Sequence, residues 1–224
     1  MYLFRLNTPM TVRTLTGCRL NECKGSTMRN LLMLLIITAL PVVAVAAEKP
    51  FSSLLAGAEN GDRSAMRATG LGYFHGEGVE RDCYEARRWL KKAGTLGDAE
   101  ALYALGLMDD EGSCGIGQAE AAFDNFQKAA LQGHAGARYH LGELYRTGRA
   151  AELDYNQAFK WLDAAARQGE TRAWCSLAKL YAKGNGVRTD RKEALRCLKK
   201  GLSSRETETV ALCREVQTEI GLNE

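Results

Sequence analysis

The sequence lacks the groupings that site chemistry usually requires. Its three histidines, His75, His134 and His140, are scattered, with no His-Glu-x-x-His motif and no cysteine cluster beside them, so each reads as a surface or bend residue. No Cys-x-x-Cys occurs, which removes a zinc knuckle and a thioredoxin-type redox pair. No metal ligand set and no cofactor are expected. Basic excess is missing too. The formal charge of +3 comes from Arg5, Arg13, Arg19, Lys24 and Arg29 against Glu22, leaving 25 basic and 26 acidic residues from Glu48 onward. A nucleic-acid partner is excluded on that ground, because a phosphate-binding face needs a local excess of Lys and Arg.

Long hydrophobic runs are limited to one. Leu31 to Ala47 is uncharged, interrupted by Pro41, and only 17 residues long, at the lower limit for a membrane span. It follows Met28-Arg-Asn and ends in Ala44-Val-Ala46 and Val45-Ala-Ala47, small residues suited to cleavage before Ala47 or Glu48. This pattern predicts a signal peptide over 28–47, translation starting at Met28, and an upstream extension over 1–27. An uncleaved anchor is the alternative reading of the run. No Leu-x-x-Cys box closes it, so a lipoprotein is not expected. The predicted product is periplasmic or secreted, with no stable membrane insertion after cleavage. Five cysteines remain in it, Cys83, Cys114, Cys175, Cys197 and Cys213, an odd number in a compartment that permits disulfides.

What the chain does have is a repeat. Gly61, Gly97, Gly133 and Gly169 follow one another at intervals of 36 residues, and the same offset joins Gly70, Gly106, Gly142 and Ala178. It also joins Gly76, Gly112, Gly148 and Gly184, then Ala86, Ala122, Ala158 and Ala194, then Leu90, Phe126, Leu162 and Leu198. Apolar spacing within a unit is helical: Ala173, Leu177, Leu180 and Tyr181 fall at i, i+4, i+7 and i+8. Four antiparallel helix pairs are predicted, about 62–74 with 83–96, 98–109 with 117–132, 134–147 with 155–168, and 170–183 with 191–203. The units span about 61–96, 97–132, 133–168 and 169–204 of a single domain over 48–224. Partial helices at 51–60 and 205–220 cover its ends, since one pair alone cannot bury its apolar stripe. Asp82, Asp154 and Asp190 stand where the second helices need an N-cap; Gln118 takes that place in the second unit and makes its bend the weakest. Gly184-Asn-Gly186 lacks the Lys-Ser or Lys-Thr of a phosphate loop and recurs as Gly76-Glu-Gly78, so it is a bend between helices.

Ala137, Leu141, Gly142, Tyr145, Gly148, Asp154, Ala158, Trp161, Ala164, Ala165 and Gly169 make the third unit resemble the Sel1-like repeat family, a branch of the tetratricopeptide-type solenoids. The fourth unit follows the same pattern, except that Cys197 stands where Trp89 and Trp161 stand. The resemblance covers 61–204. It implies an all-α, right-handed α/α superhelical solenoid whose first helices line the concave side. Members look like adaptors and protein-binding modules; some resemble immunity proteins that neutralise a secreted toxin, and some cysteine-rich relatives are described as penicillin-binding or weakly β-lactam-hydrolysing.

By the repeat register, residues expected to point into the groove are Arg67, Leu71 and Phe74; Tyr103, Leu107 and Asp110; Tyr139, Glu143 and Arg146; and Cys175, Lys179 and Ala182. Rigid aromatics with charges of both signs suit recognition of another protein or peptide, such as a secreted toxin or an envelope protein. No catalytic residue is assigned. Ser176-Leu-Ala-Lys179 matches the Ser-x-x-Lys of serine β-lactamases but has neither companion motif, which leaves a β-lactam-binding enzyme as the alternative function. Cys197 and Cys213, mirrored across the turn near Ser203, are expected to pair; Cys83 and Cys114 form a second candidate pair, with Cys175 left over.

Overall fold

Aspartates begin many of the helices and glycines end the first helix of each pair. The computed structural model describes residues 50–115 and 117–222; the predicted extension over 1–27 and signal peptide over 28–47 lie outside them. Ten helices follow in order among the described residues: α1 (Phe51–Glu59), α2 (Arg63–His75), α3 (Cys83–Thr95), α4 (Ala99–Glu111), α5 (Ala119–Leu131), α6 (Ala135–Thr147), α7 (Tyr155–Arg167), α8 (Arg172–Lys183), α9 (Arg191–Leu202) and α10 (Thr207–Glu219). None is long and apolar enough to cross a membrane. The carboxylates of Asp82, Asp154 and Asp190 accept two backbone N–H groups each at the starts of α3, α7 and α9.

Each pair is closed by the same backbone bond. Asp82, Gln118, Asp154 and Asp190 donate their N–H to the carbonyls of Tyr73, Asp109, Tyr145 and Tyr181 at 2.9–3.1 Å. Gly76, Gly112, Gly148 and Gly184 end the first helices in the left-handed conformation, where a Cβ is unfavourable. Gln118 makes no side-chain cap at α5. A disulfide between Cys83 and Cys114 ties that weaker bend to the first turn of α3.

The core runs along the stack. Ala86, Leu90, Ala122, Phe126, Ala158, Leu162, Ala194 and Leu198 are buried at equivalent positions. Gly106 lets α5 approach α4 closely: a Cβ there would stand 2.5 Å from the ring of Phe126. Each second helix packs on the first helix of its own unit and of the next, so the chain is an all-α solenoid of antiparallel pairs. Successive first helices also touch one another, α2 with α4, α4 with α6 and α6 with α8, whereas no two second helices make comparable contact. The first helices therefore take the inner side of the curve.

The expected Cys197–Cys213 bridge is corrected by the structure. Cys213 on α10 bonds to Cys175 on α8, with the two Cα atoms 4.9 Å apart, and Cys197 is the buried free thiol. The reason is register. Cys197 keeps the tryptophan position of the earlier units and lines a cleft with Trp174 and Tyr181. Gly201 instead leaves room for the sulfurs, since a Cβ there would fall 2.2 Å from the Cys213 sulfur.

Candidate functional site

The inner face is built by α2, α4, α6 and α8, and its first rung is positions 67, 103, 139 and 175. Each of these residues reaches the start of the next first helix or the element beyond it. Arg67 lies 3.3 Å from Asp98, which is buried and also accepts the Ala101 N–H as cap of α4. Tyr103 stacks on His134 with ring centroids 4.3 Å apart. Tyr139 lies under the Arg172 guanidinium, 4.6 Å from its ring centre. Cys175 takes the disulfide to α10.

A column of starting residues explains this rung: Asp62, Asp98, His134, Glu170 and Glu206 recur every 36 residues. Asp62, Asp98 and His134 cap their helices by accepting backbone N–H groups. His134 does so through Nδ1, from Ala137, which leaves Nε2 to carry the proton and donate to Glu100 at 3.0 Å. It stands at the bend before α6, where it serves as a helix cap and a stacking partner. Glu170 departs from the column. Its carboxylate accepts two bonds from Arg172, at 2.8 and 3.1 Å, and so aims that guanidinium at Tyr139.

The centre of the face is thus Tyr103, Tyr139, Glu143 and Arg146 from the expected ladder, together with His134 and His140, read from the sequence as surface or bend residues, and Glu170 and Arg172, which sequence reasoning did not single out. Glu143 and Arg146 form a fork, Nη2 to Oε2 at 2.7 Å. Tyr139 is only 9% exposed. Burial, with the Glu143 charge adding, pushes its hydroxyl up to about 12, and burial also raises that of Tyr103. His140 is not a surface histidine: it stacks on Phe126 at 4.9 Å, and its Nε2 makes no hydrogen bond among the described residues. Burial, then the Arg172 charge, pulls its imidazole down to about 4. Beside it, Asp110, Glu143, Leu144, Thr147 and Arg149 enclose a cleft of about 250 Å³.

Other ladder residues are committed elsewhere. Leu71 and Phe74 pack on the core of the first unit, and Leu107 packs on that of the second and third. Asp110 is held by Arg149 across the unit boundary. Lys179 and Lys183 both meet Glu219 at 2.7 Å, clamping α10 and drawing the Glu219 carboxyl down to about 2. Ser176 is only 5% exposed among packed helices, and the ammonium beside it in sequence is bound to Glu219. It has no access for an acyl group and Lys179 is not a free base, so the Ser-x-x-Lys match is a packing coincidence. Among the described residues no group of three His, Cys, Asp or Glu is placed to hold a metal.

A family model, the Sel1 repeat, matches residues 63–98, 99–134, 135–170 and 175–203. Among solved structures, the chain is similar to c5321, a protective antigen present in uropathogenic Escherichia coli strains, at 30% identity and a TM-score of 0.66. That match covers 71% of this chain and 34% of the antigen, so the chain spans about a third of its length. A Sel1 repeat protein from Oxalobacter formigenes is 26% identical with a TM-score of 0.68, over 77% of this chain and 70% of that one. No curated protein sequence matches.

Proposed function

Because the chain belongs to the Sel1 repeat family, whose model covers more than half of it, we propose that it is an exported scaffold that binds another protein or peptide through the inner face of its first helices. The observation that supports this reading is the packing of successive first helices against one another, with Tyr103 on α4 and Glu143 and Arg146 on α6. Tyr103, already held rigid by stacking on His134, loses little entropy when a partner covers it, and a Glu–Arg fork presents both signs of charge for selection. Two disulfides suit a periplasmic or secreted site of action, as does the leader. An envelope adaptor and an immunity protein that occludes a secreted effector are two forms of this reading.

The test is affinity capture from the source organism's envelope with the mature, oxidised chain. A single partner whose capture is lost in Arg146→Ala and Glu143→Ala, with helical circular dichroism unchanged, supports the inner face. Arg146 and Glu143 are half-buried, so neither truncation opens the core. Capture that survives both and fails on mutation of α3, α5 or α7 moves the site to the outer side.

A further inference from the structure

A second surface lies at the C-terminal end of the stack. Helices α6 and α8 are each covered by the second helix of their unit, α7 and α9. No helix among the described residues does this for α10. The register also bars an ordinary pair there: Gly106, Gly142 and Ala178 admit the second helices of their units, and Arg214, exposed on α10, stands at the equivalent position. What remains open is a groove of about 480 Å³ between α9 and α10.

Its floor is leucine and its rim is basic. Leu195, Leu198 and Leu202 fall at i, i+3 and i+7 along α9, with Leu222 beyond α10, and Leu195 is 38% exposed. In the two preceding units the Leu195 position holds Phe123 against Tyr145 and Phe159 against Tyr181, at 5.5 and 5.6 Å between ring centres. Here the corresponding pair is Leu195 and Gln217, and both line the groove. Lys192 and Lys199, seven residues apart, flank the leucine stripe and make no ion pair among the described residues. Arg196 is already bound to Glu193. Among the described residues no carboxylate lines the groove.

A leucine stripe flanked by unpaired lysines one heptad apart is the surface that a second helix with leucines at its seam and glutamates beside them complements. We infer that this groove docks an acidic amphipathic helix of a partner protein, separately from the inner face. The apolar seam supplies the contact, and Lys192 and Lys199 select the charge and orient the helix along α9.

The probe is a synthetic helical peptide of about four turns with leucine at a and d and glutamate at e and g, labelled for fluorescence anisotropy and used where it is monomeric. Its counterpart carries lysine at e and g. The mature, oxidised chain is expected to bind the glutamate peptide, more weakly as salt rises, and not the lysine peptide. Leu195→Asp and the double change Lys192→Glu with Lys199→Glu each weaken binding by about tenfold or more. These side chains are exposed, and circular dichroism checks that both variants fold. Arg146→Ala leaves the affinity unchanged, which separates this surface from the inner face. Equal binding of the two peptides, no binding of the glutamate peptide, or affinity unaltered in both groove variants overturns the inference. So does a homodimer in sedimentation that Leu195→Asp abolishes, since the occupant is then a second copy.

Discussion

His140 shows how one largely packed ring ties stability to pH. Unfolded, an imidazole takes its proton near pH 6.5; folded, burial and the Arg172 charge hold this one down to about 4. Between those values the unfolded chain binds more protons, so the contribution of neutral His140 is complete above about pH 7 and shrinks as pH falls. Below about 4 the loss levels off, at no more than about 3.5 kcal/mol. The other charges around the ring, Glu170, Glu143 and His134, are weaker influences than burial and Arg172. His140→Phe keeps a ring over Phe126 and removes the titration. Urea midpoints measured from pH 7.5 to 4 should fall for the native chain and run flatter for the variant; parallel curves would place the acid sensitivity elsewhere. The sequence hid this role because a histidine inside a helical repeat looks the same whether its face is wet or packed.

At the level of elements, α10 shows how a departure from the repeat is accommodated. It is joined to α8 by the Cys175–Cys213 bond, by Lys179 and Lys183 on Glu219, and by Thr171 donating to Glu206 at 3.0 Å. Gly201 on α9 makes the first of these possible. Alanine in a helix is ordinarily favoured over glycine by about 1 kcal/mol. At this position its Cβ would meet the Cys213 sulfur at 2.2 Å and the Cys175 sulfur at 3.1 Å, both in a fixed covalent link. The clash outweighs the propensity, because a bridge of this kind stabilises by about 2 to 4 kcal/mol. Gly201→Ala is expected to lower the thermal midpoint of the oxidised protein and to raise the free thiols among the described residues from Cys197 alone to three. A midpoint raised by the better helix former, with the bridge intact, would show that α9 can slide to make room. The ion pairs on Glu219 are a smaller hold, since that carboxylate is 41% exposed and solvent screens it.

Across the molecule, the parts legible in the sequence are those that every unit shares. The 36-residue spacing of glycines and small apolar residues has one physical solution, stacked helix pairs, and the helix ends lie within two residues of where that spacing puts them. The site was less legible because positions 67, 103, 139 and 175 also hold the stack together. A register can say that Tyr139 faces inward; it cannot say that Glu170 will abandon the cap and turn Arg172 onto it. The cysteines were misread where repetition ends: Cys213 takes the register position of Leu141 and Leu177, and no cysteine pair in the earlier units shows that this position meets position 175 of the preceding first helix. Their placement has a consequence for the whole solenoid. One bridge ties the first unit to the second and the other ties the fourth to the end helix, while among the described residues no disulfide crosses the interfaces of α5 with α6 and α7 with α8. A linear stack frays from its ends, where an element has neighbours on one side only. Reduction should therefore lower amide hydrogen-exchange protection in α3 and α10 first and leave α6 and α7 close to their oxidised values, read by mass spectrometry of the intact chain with and without reductant. Protection lost evenly along the chain would mean that the units unfold as one block, and that the bridges act through the unfolded state of the whole chain rather than by pinning its two ends.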